Sequence, residues 1–209
     1  EVQYLLNTIQ DLTFDNIYHE HMNYWSLSSL NNFLSTLDLK IFKAEKIDTH
    51  GGSIRVYVSK DKKCFIDPSV QELLKEEEKF GLKKISTYIE FGKKIVNLKE
   101  QVIKNIKEIK KKNNDIIGYG APAKATTALN YFNINNNEIS FILEDNHLKH
   151  GKFVPGVKIP IASKENLKIK NPTVLVLAWN FFDEIKKNNK DITNDFISIK
   201  DLEKNSPSL

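Results

Sequence analysis

Apolar residues recur at helical spacing through Leu27, Leu30, Phe33, Leu34 and Leu37. Ser26 stands ahead of them as an N-cap, so a helix is predicted there, closed by Asp38. Residues 39–47 read as a strand, and Gly51-Gly52 breaks it. Residues 53–58 alternate at period two, the mark of a second strand, expected to pair antiparallel with the first. A helical stretch begins at Asp67-Pro68, with proline in its first turn. Val70, Leu73, Leu74 and Phe80 share one face, and Gly81 is a predicted break. The stripe resumes through Ile85, Ile89, Phe91, Ile95, Leu98, Val102, Ile106 and Ile109, with lysines opposite. Such a stripe packs against a core. Beyond it, strand and helix alternate. Strands are predicted at 115–120, 139–143, 173–178 and 196–199, with helices over 122–131 and from Phe181. The fully apolar run at 173–178 fits a buried parallel strand. The pattern predicts an α/β chain in three parts: 1–62, a helical connector over 63–112, and a small doubly wound domain over 113–209.

Composition narrows the class. A chain of 209 residues holds one large or two small domains, and 40% hydrophobic content supports a packed core. The net charge is +4, and Arg55 is the single arginine. With no arginine forks and no recognised motif, nucleic acid is not an expected partner. Cys64 is the lone cysteine, so the chain builds no disulfide and no cysteine-based zinc site, which fits a cytoplasmic setting. No apolar run reaches the ~18 residues of a membrane span. The start, at Glu1, has neither an initiator methionine nor a signal-peptide pattern, and reads as a chain entered partway through a protein.

The chain has five histidines, and two fall in Tyr18-His19-Glu20-His21. Histidine moves protons near neutral pH, a carboxylate orients or stabilises imidazolium, and a phenol donates to an oxyanion. In a regular strand Glu20 and His21 would point apart, and they converge only if the backbone turns. A metal reading, with His19 and His21 on one face and His50 as a third ligand, is an alternative, as is a purely structural hydrogen-bonding role. His50 sits at a glycine turn and either faces this segment or serves the turn alone. Residues 118–124, Gly-Tyr-Gly-Ala-Pro-Ala-Lys, follow a strand and open a helix. Gly118, Gly120 and Ala121 would let a ligand approach the backbone, with Lys124 adding charge to an anion-favouring helix start. The run lacks the third glycine of a dinucleotide fingerprint and is not a Walker sequence. A ligand-free tight turn is the plain alternative. Asp145 and Asn180 each follow a predicted strand and would share its rim, although Asn180 reads equally as a helix cap.

These stretches, together with Thr49-His50-Gly51-Gly52-Ser53-Ile54-Arg55 and Ala178-Trp179-Asn180-Phe181, occur in an order and spacing that resemble the sugar C-methyltransferases of deoxysugar biosynthesis. The resemblance covers nearly the whole chain. It implies the tail of a class I methyltransferase domain followed by a Rossmann-like C-terminal domain. It further implies a nucleotide-linked 4-keto sugar as substrate and S-adenosylmethionine as methyl donor. His21 would be the base that forms an enolate, which attacks the donor's methyl group, with Tyr18 and Glu20 orienting it or stabilising the enolate. The nucleotide sugar would lie between the domains, with residues 118–124 near its diphosphate. The cofactor pocket and a zinc-binding domain would lie mostly outside this chain, which alone is expected to be inactive. A non-catalytic nucleotide-sugar-binding module and a nucleotide-dependent oxidoreductase are the other readings. The resemblance leaves the oligomeric state open.

Overall fold

A computed structural model describes residues 1–49, 51–112 and 115–203. The chain divides into two compact units, Glu1–Ile95 and Val96–Leu209. The first holds β1 (Val2–Gln3), α1 (Leu5–Gln10), α2 (Leu27–Ser35), β2 (Lys40–Ile47), β3 (Ser53–Ser59) and α3 (Pro68–Phe80). Its sheet has the order β1-β3-β2 and is antiparallel throughout. Ala44 pairs with Val56 and Ile47 with Ser53, and a bulge falls between Ile41 and Lys43. Ser26 caps α2 as its sequence suggests. Its hydroxyl accepts from the Ser29 amide at 3.0 Å, while the Ser29 hydroxyl accepts from the Ser26 amide. Asp67 caps α3 through Ser69, and Gly81 ends α3 in the left-handed region at φ 87°. Tyr4, Leu6, Leu27, Leu30, Ile41, Ile54 and Val70 form the core, against which Leu73, Leu74, Phe80 and Phe91 pack.

Helix α4 (Ile85–Lys111) is continuous across the division between the units. Its apolar stripe is core only in part. Ile95, Leu98, Val102, Ile106 and Ile109 are buried, whereas Ile85 is 74% and Ile89 54% exposed. Periodicity marks the face but not where along it a neighbour ends. Of the first turns, Phe91 alone among the predicted stripe residues reaches the first unit's core.

The second unit contains β4 (Ile116–Tyr119), α5 (Ala123–Phe132), β5 (Ile142–Leu143), β6 (Ile161–Ala162), β7 (Thr173–Val176), α6 (Phe182–Asn188) and β8 (Phe196–Ser198). All five strands are parallel, in the order β6-β5-β4-β7-β8. The chain therefore starts mid-sheet, builds outward to β6, then returns to β7 on the other flank of β4. That reversal is a topological switch point, beyond whose carboxyl ends ligands bind in such sheets. The sheet's apolar strands pack with Ile185 and Ile192. The strand expected at 139–143 is short because Ile139 turns back to the Asn135 carbonyl. The sequence pattern gave no warning of β1, α1 or β6. Each strand there is two residues long, too short for a period to show.

Candidate functional site

In the first unit, a 3-10 turn over Phe14–Asn16 is buried and leads directly into the Tyr18 segment. The Asn16 carbonyl accepts from the Tyr18 amide at 3.1 Å and from the Tyr24 hydroxyl at 3.1 Å. The His21 amide then donates to the Tyr18 carbonyl at 3.0 Å, closing a turn over residues 18–21. The backbone thus does bend where convergence requires it. The Tyr18 hydroxyl donates to Glu20 Oε2 at 3.2 Å. The Tyr18 ring meets the His21 imidazole edge to face, with centroids 5.0 Å apart and planes at 84°. Tyr24 flanks the other side of His21 at 6.5 Å. His21 is half-buried, while His19 and Glu20 are exposed. Burial, then the Glu20 charge, raises the Tyr18 phenol above its ordinary range. It stays a proton donor at neutral pH. One tyrosine therefore touches both the carboxylate and the imidazole, and the set can accept a proton at His21 and donate one from Tyr18.

His50 lies outside the described residues. Its neighbour Gly52 adopts φ 108°, and a Cβ there would fall 2.5 Å from Asn7 Cβ, so the glycine is needed for packing. Arg55 points outward and pairs with Glu1 at 2.9 Å and Glu45 at 3.5 Å. Among the described residues, no group of three or more His, Cys, Asp or Glu side chains is placed to hold a metal ion.

The second unit carries a cleft of about 620 Å³ at its switch point, lined by Gly120, Ala121 and Asp145 among others. Gly118 does not line it. A Cβ on Gly118 would lie 2.7 Å from Ile142 Cγ1, so close packing of β5 on β4 accounts for this glycine. Gly120 turns the chain at φ 83°, and a Cβ there would lie 2.7 Å from Ala178 Cβ. Lys124 and Asn180 find each other instead of the cleft. Lys124 Nζ donates to Asn180 Oδ1 at 3.1 Å and sits 4.4 Å from the Trp179 ring centroid. Asn180 does not cap α6.

Residues that pattern reasoning passed over complete the cleft. Glu144 Oε2 accepts from the Ala121 amide at 2.8 Å and from Lys149 Nζ at 3.0 Å, and Oε1 from the Asn146 amide at 3.1 Å. Burial would raise the Glu144 carboxyl, but the Asn146 and Ala121 amides and Lys149 outweigh it and hold the carboxyl below its ordinary value. The place just ahead of α5 where an anion was expected is thus occupied by the protein's own carboxylate. The Tyr119 hydroxyl donates to Asp145 Oδ1 at 2.7 Å, and burial, then Asp145, push the phenol up to about 12. Both acids end β5, the strand next to the glycine turn, and that position is the signal that could have named Glu144.

A parallel sheet of Rossmann order with a switch-point cleft in one unit, and a turn that joins Tyr18 to Glu20 and His21 beside an antiparallel sheet in the other, define a two-unit α/β chain. Residues 48–198 match the family described as C-methyltransferase C-terminal domain. The chain is also 34% identical over 193 residues to C-methyltransferase NovU of Streptomyces niveus, a match covering 91% of this chain and 46% of that protein. The chain belongs to the C-methyltransferase family, and it spans about half the length of this curated relative. Among the described residues, no helix is long and apolar enough to cross a membrane.

Membership of a methyltransferase family implies S-adenosylmethionine in general. The described residues do not fit a complete pocket for it. The first unit's three-stranded sheet is antiparallel and has no strand–glycine turn–helix crossover. The second unit's one such turn has its leading amide filled by Glu144.

Proposed function

We propose that this chain is the C-terminal portion of a C-methyltransferase that uses S-adenosylmethionine and acts on a nucleotide-linked 4-keto sugar. The observation that supports it best is the turn at residues 18–21, which joins Tyr18 to both Glu20 and His21. A ketone acidifies the neighbouring C–H. His21 takes that proton, the C–H electron pair moves onto the ketone oxygen, and an enolate results. Tyr18, neutral at physiological pH, donates to that oxygen, and Glu20 orients the phenol and offsets the imidazolium charge. No step at the methyl donor is assigned to residues of this chain.

The test isolates proton abstraction from methyl transfer. In D₂O, NMR of a nucleotide-linked 4-keto hexose should show loss of the proton signal on the carbon beside the ketone that depends on the full-length protein containing this chain. His21→Gln should slow that exchange by roughly 10²–10⁴-fold. Exchange at an unchanged rate in the variant removes His21 as the base. Binding without any exchange by the full-length protein that contains this chain points instead to a non-catalytic nucleotide-sugar-binding module.

A further inference from the structure

The loop that carries Tyr18, Glu20 and His21 is exposed along most of its length. Ile17 is 50% and Met22 86% exposed on either side of the turn, and His19, Glu20 and Asn23 are exposed as well. The chain is fixed again just past Tyr24, where the Leu5 amide donates to the Trp25 carbonyl at 2.9 Å and Ser26 caps α2. Upstream it is fixed at Asn16, which is 1% exposed. Tyr24 joins those two ends. Its hydroxyl donates to the Asn16 carbonyl at 3.1 Å, beside the bond which that carbonyl accepts from the Tyr18 amide. A carbonyl oxygen has two lone pairs, so one buried acceptor serves both donors. Burial raises the Tyr24 phenol above its ordinary range, more than a bond from the Tyr18 backbone lowers it, so the hydroxyl keeps its proton at neutral pH. The Tyr24 ring stands 6.5 Å from that of His21.

We infer that Tyr24 is a positioning residue for the proton transfer: its hydroxyl clasps the loop of residues 16–24 at its base, and its ring backs the His21 imidazole. This role rests on the reading of His21 as the base. The bonds within the turn fix its shape but not its place. The His21 amide bonds to the Tyr18 carbonyl, and the Tyr18 hydroxyl to Glu20, so these three residues move together. Without the clasp, the turn could swing as a unit on the exposed residues that flank it. A general base must lie within about 2.6–3.2 Å of the atom whose proton it takes. A misplacement of about 1 Å can cost roughly 10²-fold in rate. The bond from Tyr24 to Asn16 comes from outside the turn and ties it to the buried Phe14–Asn16 segment.

Two measurements test it. NMR of the native chain should show a nuclear Overhauser contact between the Tyr24 and His21 rings. Tyr24→Phe keeps the ring and removes the clasp, and should move the His21 ring signals further than those of the other histidines. In the full-length protein that contains this chain, Tyr24→Phe should slow deuterium exchange beside the ketone by roughly 10–100-fold at saturating sugar nucleotide. The half-saturating concentration should hold within about twofold, since the clasp serves the reacting geometry rather than binding. Absence of the ring contact overturns the role, as do His21 signals unmoved in Tyr24→Phe. A loss of exchange that lies wholly in the half-saturating concentration overturns it too, and marks Tyr24 as structural. Exchange by the native full-length protein that Tyr24→Phe leaves at its full rate overturns the role of Tyr24 alone. No exchange by the native full-length protein overturns the reading of His21 as the base, and this role with it. The ring contact needs only the native chain, so it stands even where a variant fails to fold.

Discussion

Each unit pairs a buried tyrosine with a carboxylate and sets a carboxylate at a helix start, but they divide the labour differently. In the first unit one residue does both. Glu77, 2% exposed, accepts from the Tyr4 hydroxyl at 3.0 Å, from the Leu27 amide, and from the Ser28 amide at 3.0 Å. It thereby ties Tyr4, which joins β1 to α1, to α2 and α3 at the first turn of α2. In the second unit the work is split between neighbours, with Glu144 ahead of α5 and Asp145 on Tyr119. The fused arrangement leaves no carboxylate oxygen without a donor, and the residue is sealed in the core. The split arrangement leaves Asp145 with an oxygen to offer, and it faces a cleft. The same two contacts thus make a structural clamp in one place and a candidate binding wall in the other.

The sharpest way to break the comparison is to remove the fused clamp. Glu77→Ala strands the Tyr4 hydroxyl and two helix-start amides, and a cost of about 3 kcal/mol is expected for such a buried set. Trp25 packs on the first unit's core and Trp179 lies in the second unit, so the chain carries one fluorescent reporter in each. In a Trp179→Phe background, urea unfolding followed by Trp25 should shift strongly with Glu77→Ala. In a Trp25→Phe background, the Trp179 transition should hold. A shift under half of that expected would mean that Glu77 is a bystander. The next largest effect falls on the split arrangement. Gly120→Ala forces a Cβ into the left-handed region, 2.7 Å from Ala178 Cβ, and should cost on the order of 2 kcal/mol. Because Gly120 aims the Ala121 amide at Glu144, the Trp179 transition should report that loss.

How far the sequence foretold these features follows from their physics. Helices α2 and α3 were legible because the apolar period and their caps, Ser26, Asp67 and Gly81, coincide. The parallel strands β4 and β7 were legible as apolar runs bounded by turns. Tyr18, Glu20 and His21 were legible as residue types, but their convergence rests on the Asn16 carbonyl and a turn that no period encodes. Glu77 was invisible. It sits in the run Glu76-Glu77-Glu78, which reads as a solvated face, and only the fold turns its middle member inward. Glu144 was not legible beside Asp145, since nothing local says which of two adjacent acids will meet Ala121. For Lys124 the charge was evident, but its contacts with Asn180 and the Trp179 ring were not, because both come from beyond β7.

Acid should sharpen the contrast more gently. The Glu144 carboxyl is held below its ordinary 4.5, so its contacts add stability that is fully present above about pH 4.5. That contribution is lost as pH falls through the lowered folded value. Glu144→Gln should flatten this part of the acid limb reported by Trp179, by on the order of 1 kcal/mol, the scale of a partly exposed charged pair. An acid limb unchanged by the substitution would place the lost protons elsewhere.

The smallest expected signal is at the alkaline end and concerns Tyr119. Its folded value is raised from 10.0 to about 12, so native and unfolded chains bind protons differently between those values. The sign follows from the direction. The neutral phenol is favoured in the fold, and its contribution is complete below pH 10 and lost as pH rises through about 12. Tyrosinate absorbance of the native protein, minus that of Tyr119→Phe, should show one phenol titrating near pH 12. Asp145→Asn should move that midpoint back toward 10, because burial remains while the carboxylate charge is gone. A Tyr119 midpoint that stays put in Asp145→Asn would mean that burial alone sets it. Asp145 would then not be held through the phenol, and the split arrangement would lose the contact that distinguishes its free oxygen from its clamped one.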